Sequence, residues 1–143
     1  MSEKIKVLLS EEEVDARIKQ IAAQISRDYA GREIHLICVL KGGVFFTCEL
    51  AKRITVPVSL DFMSVSSYGD DTKSSGVVKI VKDLDQPLIG KDVLIVEDII
   101  DSGRTLSYLI EILKGEIQTA SVCAHCWTNR TQGKRRKSRL LLF

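Results

Sequence analysis

Two hydrophobic periods alternate along this chain. Ser10-Glu11-Glu12-Glu13 has the form of a capping box, and Val14, Ile18, Ile21 and Ile25 follow at helical spacing, so residues near 11–28 read as an amphipathic helix. Ile34 to Leu40 is a nearly unbroken apolar run of strand length. Lys41-Gly42-Gly43 reads as a turn, and Val44 to Arg53 as a second helix. Val58, Leu60 and Phe62 alternate with polar residues, as in a strand. Ser66 to Gly76 is rich in Ser, Gly and Asp and is expected to be a mobile loop, with Val77 to Lys82 a further strand. Gln86-Pro87 and Gly90 mark a turn into Val93–Val96, a short apolar run with polar neighbours at both ends that predicts a strand buried on both faces. Leu106, Leu109, Ile110 and Leu113 give the apolar face of another helix. Strands alternating with helices predict an α/β fold with a mainly parallel twisted sheet flanked by helices.

Composition narrows the function classes. A chain of 143 residues fits one domain, and 45% hydrophobic residues are enough for a core. A formal charge of +2 implies no polyanionic partner, so no nucleic acid is expected. No apolar run is long enough to span a bilayer, and Met1 to Lys6 lacks the apolar region of a signal peptide. No membrane partner is therefore expected, and Cys38, Cys48, Cys123 and Cys126 read as reduced thiols of a cytoplasmic protein. Cys123-Ala124-His125-Cys126 has the spacing of half a zinc site. A second ligand pair is missing, the other histidine being His35, so zinc is not expected.

The chemistry concentrates in Val93-Leu94-Ile95-Val96-Glu97-Asp98-Ile99-Ile100-Asp101-Ser102-Gly103-Arg104-Thr105. Two carboxylates end a buried strand, where open α/β sheets bind ligands. The Asp101–Thr105 loop then offers backbone N–H groups and hydroxyls at a helix start, an arrangement suited to an anion. This stretch resembles the signature of the type I phosphoribosyltransferases, and within them the hypoxanthine-guanine enzymes, whose pattern is a strand followed by Glu-Asp-Ile-Ile-Asp-Ser/Thr-Gly.

The resemblance implies the type I phosphoribosyltransferase fold and a purine-salvage reaction. The 5-phosphoribosyl group would pass from phosphoribosyl pyrophosphate to hypoxanthine or guanine, giving IMP or GMP and pyrophosphate. Glu97 and Asp98 would hold the ribose hydroxyls and position Mg2+, which as a hard cation prefers oxygen. Asp101 would be the catalytic proton acceptor beside the purine ring, or alternatively a helix N-cap. Ser102, Gly103, Arg104 and Thr105 would bind the 5′-phosphate. Lys41 and Gly42 would bind pyrophosphate, with a cis Leu40–Lys41 peptide, and Ser67-Tyr68 would belong to a lid that excludes water. The family also implies a homo-dimer or tetramer.

From Lys4 to about Lys114 the likeness runs without gaps, and after Lys114 it fails. The family would continue with a strand ending in Leu-Leu-Asp-Lys-Pro, whose lysine contacts the purine, and later with Asp-Tyr-Val-Gly-Phe; neither is present. Codon arithmetic suggests why. Read two bases later, His125-Cys126-Trp127-Thr128 must encode Leu-Leu-Asp, and Thr128-Asn129-Arg130 can encode Lys-Pro. The expected organisation is therefore a phosphoribosyltransferase core, 1–114, and an aberrant tail, 115–143, produced by a change of reading frame near Gly115. The fold would be truncated at that end, strands after the signature helix would be lost, and the basic run Gly133 to Arg139 would be solvated and disordered. Val122, Cys123 and Ala124 could still pair as a strand. The phosphoribosyl half of the site is present and the purine half is not, so catalysis is expected to be severely reduced. Two other readings stay open. A regulatory or RNA-binding protein on the same fold would use the basic run, although the retained Asp101 speaks against it. A plain nucleotide-binding α/β domain would ignore phosphoribosyl pyrophosphate. A pyrimidine or adenine transferase is the nearer rival.

Overall fold

Two apolar strands, β1 (Ile34–Leu40) and β4 (Asp92–Glu97), lie side by side in parallel at the middle of the sheet. The computed structural model describes residues 9–67, 78–97, 104–113, 119–124 and 139–142. The other elements are α1 (Glu11–Asp28), α2 (Val44–Arg53), β2 (Val58–Ser67), β3 (Val78–Lys82), α3 (Arg104–Leu113), β5 (Thr119–Ala124) and β6 (Arg139–Leu142). The sheet order is β3-β2-β1-β4-β5-β6, and every neighbouring pair is parallel except β2–β3. The expected mainly parallel α/β architecture is present.

The central strands are apolar throughout because both of their faces are covered. On one face Ile34, Leu36, Leu94 and Val96 pack against Ile18, Ile21, Ala22 and Ile25 of α1 and Phe46 and Leu50 of α2. On the other, Ile37, Val39, Val93 and Ile95 meet Met63, Leu88 and the Leu106, Leu109 and Leu113 stripe of α3. Each of these side chains larger than alanine contributes roughly 1.5–3 kcal/mol of burial. The start of α1 is the capping box read from the sequence. The Glu13 N–H donates to Ser10 Oγ at 3.1 Å and the Ser10 N–H to Glu13 Oε2 at 2.9 Å. The Arg53 guanidinium ties α2 to α1 by bonding Asp15 while also bonding Glu49 on its own helix.

Three details depart from the sequence reading. Ser66 and Ser67, expected in a loop, belong to β2, because the parallel ladder with β1 runs to Leu40–Ser64 and pairing with β3 then carries the strand on to Ser67. The rest of that loop, 68–76, lies outside the described residues, as does Val77. The sheet also does not end at β4. β5 pairs with β4 from Asp92–Thr119 to Glu97–Ala124, and β6 pairs with β5 through Arg139–Leu142, so Arg139 of the basic run lies in a strand. Ladder hydrogen bonds come from backbone groups that every non-proline residue carries, so a stretch of small and apolar residues can satisfy an open edge. The rest of the basic run, 133–138, lies outside the described residues.

The third departure concerns β2. Leu60 is 41% exposed, whereas Asp61, on the opposite face, is 2% exposed beside Met63. The Asp61 carboxylate accepts the backbone N–H groups of Phe62 (2.8 Å), Asp85 (3.0 Å) and Gln86 (3.1 Å), which fastens the loop leading into β4. Its other neighbour is the buried His35, whose Nδ1 pairs with Ser59 Oγ at 2.7 Å and whose Nε2 lies 3.7 Å from Asp61 Oδ2. Burial lowers the His35 pKa, helped by the Lys91 charge and opposed in part by Asp61, so the ring is neutral at pH 7. For Asp61, burial alone would raise the pKa, but the N–H groups of Asp85, Phe62 and Gln86 outweigh it and leave the carboxyl below its ordinary value.

A carboxyl whose pKa is depressed by folding stabilises the native state above its unfolded pKa, and that contribution is lost as pH falls through the folded pKa. Asp61→Asn is expected to cost roughly 1–3 kcal/mol near pH 7, because it leaves buried N–H groups facing a weaker or mismatched acceptor. In urea unfolding, the gap between wild type and variant should narrow from about pH 5 down to about pH 2. A gap that is constant across that range would show that the charge on Asp61 does no such work.

Candidate functional site

Parallel pairing puts the carboxyl ends of β1, β2 and β4 on one edge of the sheet. Cys38 is opposite Val96 and Leu40 is opposite Ser64. The chain leaves that edge through Lys41-Gly42 from β1, through Glu97 at the tip of β4, and through Ser67 at the end of β2. This is the edge at which open α/β sheets take ligands. Lys41 and Gly42 are exposed, and Glu97 is half-buried.

The turn after β1 is closely held. The Leu40–Lys41 peptide bond is cis, as the resemblance implies. The Val44 N–H donates to Lys41 O at 3.2 Å and the Gly43 N–H to Val39 O at 3.3 Å, so α2 starts directly against the strand end. Gly43 is buried, and its carbonyl accepts both the Thr47 N–H (2.9 Å) and the Thr47 hydroxyl (2.7 Å). Gly43 and Thr47 were not singled out from the sequence. A Gly-Gly pair reads as a turn, and a threonine one helical turn later carries no signal of its own.

Of the residues expected to form the site, the structure brings Lys41, Gly42, Glu97 and Ser67 to this one edge. Arg104 and Thr105 open α3, whose Leu106 and Leu109 pack beneath it. Asp98, Asp101, Ser102, Gly103 and Tyr68 lie outside the described residues. So do the His125 and Cys126 ends of the half zinc motif, and among the described residues no group of three or more His, Cys, Asp or Glu side chains could hold a metal. The Glu97 carboxylate at the tip of β4 is an oxygen donor of the kind that suits magnesium, which takes one or two carboxylates and completes its shell with water and substrate phosphates rather than a protein cage.

A hollow of about 220 Å³ lies at the opposite edge, lined by Glu33, His35, Ser59, Gly90, Lys91 and Asp92. It opens beside the amino ends of β1 and β4. Its ionic side chains are partly engaged with one another and with neighbours: Asp92 bonds Arg32 at 3.4 Å, and Lys91 bonds Gln86 Oε1 at 3.0 Å. No helix among the described residues is long and apolar enough to cross a membrane.

Comparison with known proteins agrees with this geometry. The family model described as the phosphoribosyl transferase domain matches residues 5–140. The chain is 50% identical over 109 residues to the hypoxanthine-guanine phosphoribosyltransferase of Streptococcus thermophilus, covering 76% of this chain and 61% of that protein. It is 53% identical over 109 residues to the enzyme of the same name from Mycobacterium bovis, covering 72% of this chain and 54% of that one. Against the crystal structure of a hypoxanthine-guanine phosphoribosyltransferase from Bacillus anthracis the TM-score is 0.85 at 36% identity, over 99% of this chain and 86% of that chain. The chain thus spans less than two thirds of the length of these two curated relatives.

Because Lys41 is exposed, Lys41→Ala should change the unfolding free energy by no more than about 0.5 kcal/mol. Urea denaturation of the variant checks this. A larger loss would mean that the lysine holds up the turn itself, and its use as a probe of ligand binding would fail.

Proposed function

Since this chain belongs to the phosphoribosyl transferase domain family, we propose that its site transfers a 5-phosphoribosyl group from phosphoribosyl pyrophosphate to a 6-oxopurine, releasing pyrophosphate. The observation that carries this reading is the meeting of the Lys41-Gly42 turn and Glu97 at the carboxyl ends of adjacent parallel strands.

Each group has a physical task. As the bond from the sugar's anomeric carbon to pyrophosphate breaks, the sugar gains positive charge and the leaving group gains negative charge. The Lys41 ammonium and the Gly42 backbone hold the departing pyrophosphate electrostatically. Glu97 and Asp98 accept hydrogen bonds from the ribose hydroxyls, which fixes the ring against the attacking nitrogen. They would also hold magnesium, in part through water, and that ion supplies charge neutralisation for the leaving pyrophosphate. The ring nitrogen bonds to the anomeric carbon, and Asp101 takes or holds the proton that the purine gives up. Ser102, Gly103, Arg104 and Thr105 anchor the 5′-phosphate at the start of α3, where unpaired N–H groups favour an anion. Ser67 and Tyr68 belong to a segment that shields the reacting atoms from water. A homo-dimer or tetramer is the assembly in this reading.

Residues 1–114 are the working core in this reading, and 115–143 are the product of a change in reading frame near Gly115. The forced Leu-Leu-Asp in the shifted frame across His125–Thr128 supports it. The pairing of β5 and β6 is compatible with it, since ladder hydrogen bonds are blind to side chains. Sequencing the coding DNA across codon 115 tests the idea. A shifted frame that meets early stops would overturn it.

The functional test is a calorimetric titration of the whole chain with phosphoribosyl pyrophosphate and magnesium chloride. We expect saturable binding that Glu97→Gln and Asp98→Asn each weaken by roughly tenfold, the scale of one charge-assisted hydrogen bond at about 1.4 kcal/mol. Turnover with hypoxanthine should stay far below that of the full-length relatives. Failure of the wild-type chain to bind at millimolar ligand would sink the assignment.

A further inference from the structure

Gly43 stands where two strand ends and a helix start come within contact distance, and its lack of a side chain has no conformational cause. Its φ is −74° and ψ −6°, values open to any residue. What a side chain would meet there is tight space. A Cβ built there would lie 3.0 Å from Val39 O and 3.1 Å from Val96 O, with Cys38 Sγ at 3.6 Å. The two close atoms are backbone carbonyls of β1 and β4, held in a buried ladder, so neither can swing aside as a side chain would. Val96 directly precedes Glu97, and Gly43 directly follows Lys41-Gly42.

We propose that Gly43 is a positioning residue: by admitting the backbone of the α2 start against Val39 and Val96, it sets the spacing between the Lys41-Gly42 turn and Glu97, and so the fit of a ligand that spans both. Thr47 completes the device. It is fully buried, and its hydroxyl bonds the Gly43 carbonyl at 2.7 Å, which keeps the glycine seated from the helix side. Neither residue touches ligand in this scheme. The inference rests on the assignment of Lys41-Gly42 to pyrophosphate and of Glu97 to ribose.

A methyl group at position 43 must move the turn and β4 apart by a few tenths of an ångström. The ligand that feels this most is one whose two ends bear on the two elements. Phosphoribosyl pyrophosphate does so, whereas ribose 5-phosphate has no pyrophosphate to reach Lys41. The signature is therefore a ratio, which general loosening of the fold does not produce. Misplacement of a site by about 1 Å costs on the order of a hundredfold, so roughly tenfold is expected here.

The test titrates the whole chain, with magnesium, using phosphoribosyl pyrophosphate, inorganic pyrophosphate and ribose 5-phosphate. Gly43→Ala should weaken phosphoribosyl pyrophosphate about tenfold and leave ribose 5-phosphate within about twofold. Thr47→Val should shift the same ratio in the same direction, and Thr47→Ser, which keeps the hydroxyl, should restore it. Leu50→Ala removes a fully buried side chain from the same helix and serves as the control: it should lower the melting temperature without moving the ratio. Should Leu50→Ala move the ratio as far as Gly43→Ala does, or should Gly43→Ala weaken both ligands equally or neither, the positioning role is overturned while the site assignment stands. A wild-type chain that binds none of the three ligands overturns the assignment and this inference with it.

Discussion

The parallel ladder between β1 and β4 is the constraint on which the rest of this molecule depends. It is buried on both faces, so its register cannot slip by a residue without turning one apolar set toward the wrong layer. With Cys38 held opposite Val96, the two chain exits fall on one edge at a separation that neither segment chooses alone. α1 and α2 cover one side and α3 the other. The start of α2 lies so close to both strand ends that a Cβ at Gly43 would stand 3.0 Å from the Val39 carbonyl oxygen and 3.1 Å from that of Val96. The geometry of this edge is therefore inherited from core packing.

The opposite edge works differently. There the sheet buries His35 and Asp61, groups that burial alone would penalise. The carboxylate is tolerated because three backbone N–H groups surround it, and the imidazole because it stays neutral beside Ser59. Asp61 of this polar pair pins the loop that feeds β4, so it steadies the central ladder from the end remote from the carboxyl edge. The buried polar pair and the polar groups at the carboxyl ends are thus separated along the length of the same strands.

The segments after α3 show how little side-chain information a parallel edge demands. β5 is built from Thr, Ala, Ser, Val, Cys and Ala, and β6 from Arg and three leucines. β5 extends the sheet from β4, and β6 extends it from β5. A strand edge offers a row of N–H and C=O groups that any proline-free segment of suitable length can meet. Strand formation in that region therefore asks for backbone groups and a proline-free length more than for any particular side chain.

Much of this was legible in the amino-acid order. The helical spacing of Ile18, Ile21 and Ile25, the capping box at Ser10, the apolar runs that became β1 and β4, and the place of Glu97 at the tip of β4 all follow from local physics, because period, capping and strand length are properties of adjacent residues. The exposure of Leu60 and burial of Asp61 were not legible. Alternation announces a strand but does not say which face a neighbouring layer will cover, and that depends on where α2 ends and where the loop at Asp85 returns. The tight fit around Gly43 was hidden for the same reason: its φ and ψ are ordinary, and the atoms that a side chain would crowd belong to Val39 and Val96, the second of them more than fifty residues away in the chain. The sequence alone determined the elements and the chemistry at their ends. Which face is inside, and how closely the ends approach, was decided by tertiary packing, since both are set by contacts between segments that share no local pattern.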